Sequence, residues 1–303
     1  MIYTVSLNPA IDYHIWLPSL RPGEITGATK DLKISGGKGI NVSKVLKNLG
    51  ESTTACGFIG GFTGEFIQKE MNDLHIPTSF IEVEGATRIN VKLKAEEETD
   101  ISGVSPIISE KAFMQLLKQM KGLTHTDQLI LAGSVPKGLP EDTYEIIMDE
   151  VKAKGLKVAL DTSGIALKQG IRKKPFLIKP NHHELGELFE VTINTPEEAI
   201  HYAKQIVEQG VTNVIVSLAG NGAVLVNQEA AYIATFPKSK PVNSIGAGDS
   251  VVAGFMHAVN KNLEQMEAFR FAVACGTATA LSEGLCTPDS IKEIIPTIQV
   301  SNI

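Results

Sequence analysis

Short apolar runs recur along this chain, each separated from the next by a longer stretch with helical spacing. Residues 2–7, 53–59, 127–131, 156–160, 176–178 and 213–218 form such runs, and most are nearly continuous in apolar character. A strand that is apolar on both faces must be covered on both, so these runs are expected inside a sheet. Parallel neighbours need a long return connection, and the helical stretches supply it. The alternation restricts the chain to an α/β architecture, with a mainly parallel sheet between two helical layers.

Several helix ends are readable. In Thr195-Pro196-Glu197-Glu198, Thr195 is the cap, Pro196 the first helical residue and Glu198 the closing member of a capping box. Gly210 is placed to end that helix in a left-handed conformation. Further helices are expected over 140–154, stopping at Gly155, and after Asn41, where Val42, Val45, Leu46 and Leu49 share one face before Gly50.

Two segments break the pattern. Residues 11–35 hold no strong helix. Over 88–95 the residues alternate: Ile89, Val91 and Leu93 face one way, Arg88, Asn90, Lys92 and Lys94 the other. That is an exposed, one-sided strand. The acidic turn Glu96-Glu97-Glu98 and an extended piece over 99–102 follow it. The expectation is a small antiparallel sheet, drawn from about 11–35 and 87–103, that projects as a lid over a cleft. The chain has 303 residues, 43% of them apolar and 20% charged, which suits one large α/β domain over 1–303 with a small appendage.

Charge and cysteine content exclude some functions. A net charge of −6 argues against nucleic acid as a bulk partner but leaves room for a small anion held by a few local cations. Cys56, Cys275 and Cys286 have neither disulfide-framework nor zinc-site spacing and read as small buried hydrophobes. No run reaches 18 apolar residues, and no basic leader opens the chain, so a cytoplasmic protein with no membrane contact is expected.

In open α/β sheets ligands bind beyond the carboxyl ends of the strands, and the glycine-rich segments fall there. Asn243-Ser244-Ile245-Gly246-Ala247-Gly248-Asp249-Ser250 leads into an apolar helix. Gly246 and Gly248 let main-chain N–H groups converge, and the helix end adds partial positive charge, which makes a nest for a phosphoryl anion. Asp249 is expected to stay ionised there as a weak base that orients an acceptor hydroxyl; phosphoryl transfer asks for positioning more than deprotonation. The plainer alternative is an acidic residue that stabilises a helix start.

Ser217-Leu218-Ala219-Gly220-Asn221-Gly222 reads as a hairpin turn, or as a backbone approach to nucleotide phosphates. Gly36-Gly37-Lys38-Gly39-Ile40-Asn41 is not a P-loop, because spacing and the following Ser or Thr are both missing. A dinucleotide fingerprint fails at Val251, and protein-kinase landmarks are lacking. In Lys179-Pro180-Asn181-His182-His183-Glu184, Asn181 and Glu184 can share a face and hold Mg²⁺ through waters. His182 and His183 are expected to point apart on a helix, with no third ligand. Asp12, after the first strand, is either a turn aspartate or a grip on sugar hydroxyls.

Taken together, residues 7–12, 36–41, 87–93, 179–184, 217–222 and 246–250 resemble, in this order, the PfkB (ribokinase-like) family of carbohydrate kinases. The resemblance covers nearly the whole chain. Asn8-Pro9-Ala10-Ile11-Asp12 and Thr87-Arg88-Ile89-Asn90-Val91-Lys92-Leu93 are most similar to the branch that phosphorylates D-fructose 1-phosphate; the branch acting on D-tagatose 6-phosphate is a near relative. A ribokinase-like three-layer α/β/α fold with a β-sheet lid is implied.

The resemblance also implies roles. Asp249 would be the catalytic base, with the backbone of Gly246, Ala247 and Gly248 as anion hole. Lys179 and Asn181 would contact the phosphates of ATP, and Glu184 would organise Mg²⁺ through water. Ser217, Ala219, Gly220, Gly222 and Gly248 would line the nucleotide site. Asp12, Gly37, Lys38 and Asn41 would hold the sugar, and Arg88 the phosphate it already carries. A planar guanidinium suits a phosphate dianion, and Lys38 offers a point charge; a solvated strand face is the plainer account of Arg88 and Lys92. A homodimer formed through the lid is implied as well. The helix around 275–282 is a candidate wall for adenine. The rival from another class is a non-catalytic sugar- or nucleotide-binding regulator on the same fold, which has no use for Asp249.

Overall fold

All six apolar runs form neighbouring parallel strands of one sheet. The computed structural model describes every residue except Lys238. In chain order the first half contains β1 (Ile2–Ser6), β2 (Ala10–Trp16), β3 (Lys30–Gly36), α1 (Lys38–Asn48), β4 (Thr53–Ile59), α2 (Gly61–Asp73), β5 (Thr78–Glu82), β6 (Arg88–Lys94), β7 (Glu98–Ile101), α3 (Glu110–Lys121), β8 (Gln128–Ala132) and α4 (Thr143–Lys152). The second half contains β9 (Lys157–Asp161), α5 (Gly164–Ile171), β10 (Leu177–Ile178), α6 (His182–Phe189), α7 (Pro196–Glu208), β11 (Asn213–Ser217), β12 (Ala223–Val226), β13 (Ala231–Thr235), α8 (Ala247–Asn260), α9 (Gln265–Ala280), α10 (Pro288–Ile294) and β14 (Gln299–Asn302).

The large sheet has the order β14-β13-β12-β11-β10-β9-β8-β1-β4-β5. It is parallel from β5 to β11 and antiparallel from β11 to β14. One apolar cluster fills the space under α3 to α7, and a second lies under α1, α8, α9 and α10. A smaller one joins α2 to Ile11 and Ile40 at the lid's base. This is a three-layer ribokinase-like arrangement. Thr195 caps α7 in the expected box with Glu198, and Gly210 closes that helix at φ +106. Two helix starts shift. α4 opens at Thr143, whose hydroxyl and amide bond to the Pro140 carbonyl, and α1 opens at Lys38, after Gly37 at φ +112.

The second sheet has the order β3-β2-β6-β7. It is not antiparallel throughout, as the sequence led us to expect. The outer pairs are antiparallel, but the central pair β2–β6 is parallel. The reason lies in the connections: β2 continues from β1 and β6 from β5, which run the same way in the large sheet. Both therefore leave its carboxyl edge in one direction.

Candidate active site

The carboxyl ends of the parallel strands open on a cavity of about 570 Å³ roofed by the lid. Asp12 on β2, Arg88 on β6, Gly37, Lys38 and Asn41 at the start of α1, and Gly246, Gly248 and Asp249 at the start of α8 all line it. So do Lys179 after β10, Asn181 and Glu184 at the start of α6, and Ser217 at the end of β11. An apolar pocket of about 280 Å³ adjoins it, sharing Ser217 and Gly248. Ala219, Gly220, Gly222 and Ala247 line this second space, against Gly276, Thr277, Ala280 and Leu281 of the late helix and its end. Every residue given a catalytic, sugar, nucleotide or Mg²⁺ role from the sequence thus borders one of two adjoining hollows. A larger hollow, about 820 Å³, opens at the opposite strand ends; among the described residues its charged lining is Glu229 and Glu264, which repel a phosphate.

The start of α8 is shaped for an anion. Gly246 is left-handed, at φ +79, and turns the chain into the helix. The amides of Gly248 and Asp249 have no hydrogen-bond partner among the described residues, whereas the Ala247 amide donates to the Ser244 carbonyl at 3.3 Å. A Cβ on residue 248 would lie 3.0 Å from Lys179 Nζ, so the lysine abuts these free amides.

Asp249 is 6% exposed and accepts a hydrogen bond from Asn41 Nδ2 at 2.8 Å. The expectation that the helix end keeps it a weak base is corrected. Burial, and next the charge of Asp161, push its carboxyl up to about 6 against the pull of Lys38, Asn41 and Lys179.

Asp161 drew no attention in the sequence. It ends β9, is 1% exposed, and accepts from Lys38 Nζ at 3.0 Å, with Lys179 Nζ 3.6 Å away. Burial disfavours its charge, but Lys179 and Lys38 outweigh that and hold its carboxyl below the ordinary value. Lys38 is correspondingly pushed up, its own burial overcome by Asp161, Asp249 and Glu184. The lysine after the paired glycines therefore lines the cavity while tied to a carboxylate.

On the lid, Asn90 Nδ2 donates to Asp12 Oδ1 at 2.9 Å. A Cβ on residue 36 would stand 2.1 Å from Asp12 Oδ2, so only glycine fits beneath that carboxylate. Arg88 Nη2 donates to the Asn8 carbonyl at 3.1 Å, while its buried Nε has no partner. Asn90, Lys92 and Ser134 also line the cavity and were missed as site residues. The period-two pattern of β6 carried the signal for the first two.

Asn181 caps α6: Oδ1 accepts from the amides of His183 and Glu184, and its own amide donates to Glu184 Oε2 at 2.8 Å. That leaves Glu184 Oε1 as the free carboxylate oxygen at this corner. Among the described residues no three His, Cys, Asp or Glu side chains gather to hold an ion. A hydrated Mg²⁺ fits such a thin oxygen set, since that ion keeps most of its waters and takes few protein ligands. His182 and His183 do not point apart; their ring centroids are 3.9 Å apart, because flat rings in a first turn can lean together. They border neither the site cavity nor the apolar pocket. The hairpin reading of the 217–222 segment holds, with β11 and β12 antiparallel around a short turn at Ala219–Asn221.

The model of the pfkB family of carbohydrate kinases matches residues 8–292. This chain belongs to that family. It is therefore a phosphotransferase acting on a carbohydrate hydroxyl, with ATP as co-substrate. It is 49% identical over 303 residues to a 1-phosphofructokinase of Bacillus subtilis, covering all of both chains. It is 33% identical to a tagatose-6-phosphate kinase of Staphylococcus epidermidis, again over the full length of each. The solved structure of Escherichia coli phosphofructokinase-2 in complex with substrates and products superposes with a TM-score of 0.93, at 30% identity over 97% of this chain and 98% of that one. Among the described residues no helix is long and apolar enough to cross a membrane.

Proposed function

We propose that this chain transfers the γ-phosphoryl group of ATP to D-fructose 1-phosphate, giving D-fructose 1,6-bisphosphate and ADP. The observation that carries the reading is Asp249 beside unpaired main-chain amides, in a cavity whose roof bears Asp12 and Arg88. The acceptor hydroxyl oxygen attacks the γ-phosphorus, the bond from phosphorus to the ADP oxygen breaks, and the hydroxyl proton passes to Asp249. A carboxyl raised to about 6 is a better proton acceptor than a free aspartate and still ionised at neutral pH. Asn41 aims that carboxylate through its 2.8 Å bond. The free amides at Gly248 and Asp249 and the partial charge of α8 receive the negative charge spread over the moving phosphoryl group.

Asp12, steadied by Asn90, grips the sugar hydroxyls, and Arg88 takes the phosphate already present, its unpartnered Nε being a donor without an acceptor. Lys179 and Asn181 face the ATP phosphates, and the apolar pocket against Gly276 and Ala280 receives adenine. Glu184 would hold a hydrated Mg²⁺ through water, and that ion would supply neutralising charge for the phosphates. All three cysteines are buried free thiols, in keeping with a reducing cytoplasm. The apolar outer face of the lid, with Ile89 and Ile101 exposed, supports a homodimer through that face.

D-tagatose 6-phosphate is the less favoured acceptor, since the full-length relative named for it is 33% identical against 49% for the fructose 1-phosphate enzyme. Steady-state kcat/KM for the two sugar phosphates, followed by ADP release, tests the choice. We expect fructose 1-phosphate to be preferred by at least about tenfold, a discrimination of about 1.4 kcal/mol. A preference for tagatose 6-phosphate overturns the substrate, and no turnover with either returns the regulator reading.

A further inference from the structure

Asp161 stands below the cavity at the end of β9, and one oxygen of its carboxylate does two jobs. Oδ1 accepts from Lys38 Nζ at 3.0 Å and lies 3.6 Å from Lys179 Nζ, while Oδ2 is buried without a partner. Lys38 comes from the start of α1, next to Asn41, and Lys179 from the loop that abuts Gly248. Among the described residues neither lysine is ion-paired to any other acid. Lys179 is only 5% exposed, so without Asp161 its charge would be buried and uncompensated. Asp249 lines the same cavity as both lysines, one residue after the Gly248 that Lys179 abuts and hydrogen-bonded to Asn41 one turn along α1 from Lys38.

We propose that Asp161 is a positioning residue for phosphoryl transfer: it holds Lys38 and Lys179 beside the amino end of α8 and keeps both ammonium groups from pairing with Asp249. The inference rests on the kinase reading for its consequence, but its geometry is that of this chain alone. A base captured by a lysine cannot take the acceptor's proton, and a lysine captured by the base cannot face a phosphate. Asp161 also acts at a distance through its charge. The groups facing Asp249 are Lys38 and Asn41 from α1, Asp161 from β9, Lys179 after β10 and Glu184 from α6, with Asp12, Arg88 and Lys92 across the cavity on the lid. Of these, Asp161 is the anion that lifts Asp249, and the two lysines oppose it.

The test compares Asp161→Asn with Lys38→Met, two changes of opposite sign. Titration of the Asp249 carboxyl is followed by ¹³C NMR of aspartate-labelled protein, with Asp249→Asn used to assign its signal. In Asp161→Asn the lysines turn to Asp249, and we expect its midpoint to fall by about one pH unit, with the acid limb of kcat moving the same way. In Lys38→Met a cation is lost and the midpoint rises. A merely structural role would lower kcat and Tm without moving either midpoint. An unmoved or raised midpoint in Asp161→Asn overturns the proposal. Should that variant fail to fold, Asp161→Ser takes its place, and an unmoved or raised midpoint there overturns the proposal. Absence of sugar-phosphate turnover in the wild type would remove the kinase reading while the NMR titration still decides for Asp161.

Discussion

A carboxylate in the first turn of a helix is ordinarily easy to ionise, and Asp249 is a case where that rule loses. The helix end offers it partial positive charge, but it is buried and shares its surroundings with the anionic Asp161. A folded-state value raised to about 6 means that the group is neutral below that pH and ionised above it. Activity that needs the ionised base should fall as pH drops through about 6. The same shift means that holding the charge at neutral pH costs stability, because the unfolded chain ionises the group more readily. Asp249→Asn should therefore lower kcat by roughly two to three orders of magnitude, as for loss of a general base, while raising Tm. Turnover and differential scanning calorimetry on one preparation would check both; a loss of Tm with the loss of kcat would mean the residue is structural. Asp249 was legible in the sequence because Gly246 and Gly248 precede it and an apolar helix follows. Asp161 was not, because its partners lie 123 and 18 residues away, and a single aspartate ending a strand has no local pattern.

At the scale of elements, legibility followed locality. The start of α7 was readable because a capping box is written in four consecutive residues. The strands β13 and β14 were not read: each is short, and β14 is mostly exposed, so pairing with neighbours rather than hydropathy defines them. The lid was read as a lid, but the parallel β2–β6 pair was hidden, since strand direction is set by connections on the large sheet. What the lid does for the site depends on close approach. β2 and β3 pair Ala10 with Gly36 and Asp12 with Ile34, which brings the Asp12 carboxylate under the last residue of β3. Gly36→Ala should push that carboxylate away from Asn90. We expect KM for the sugar phosphate to rise by at least about tenfold, the cost of one displaced charged hydrogen bond, with KM for ATP unchanged. An equal rise for both substrates would mean that the substitution disturbs the whole cleft.

For the whole molecule, the informative fact is that the lid serves two faces with one strand. Arg88, Asn90 and Lys92 of β6 look into the cavity, so Ile89, Val91 and Leu93 must look out. Ile89 is 36% exposed and Ile101, cross-strand from Val91, is 53% exposed. A four-stranded sheet with one face over a wet cleft and the other apolar face in water lacks the second layer that such sheets need. A second copy of the same face is the simplest cover, and a two-fold contact repeats each apolar residue against its own patch. The cover would also stiffen the lid, and with it Asp12 and Arg88, whereas the apolar pocket proposed for adenine has no lid residue among the described residues that line it. Breaking the contact should therefore weaken sugar binding and spare ATP binding. Ile89→Glu combined with Ile101→Glu places charges at the centre of the face without touching the cavity side. Sedimentation velocity should show the wild type as a dimer and this variant as a monomer. Its KM for the sugar phosphate should rise several-fold, in line with the ordering cost that a pre-formed lid spares, with KM for ATP held. A wild-type monomer, or a variant dimer with unchanged kinetics, would show that this face is not the interface.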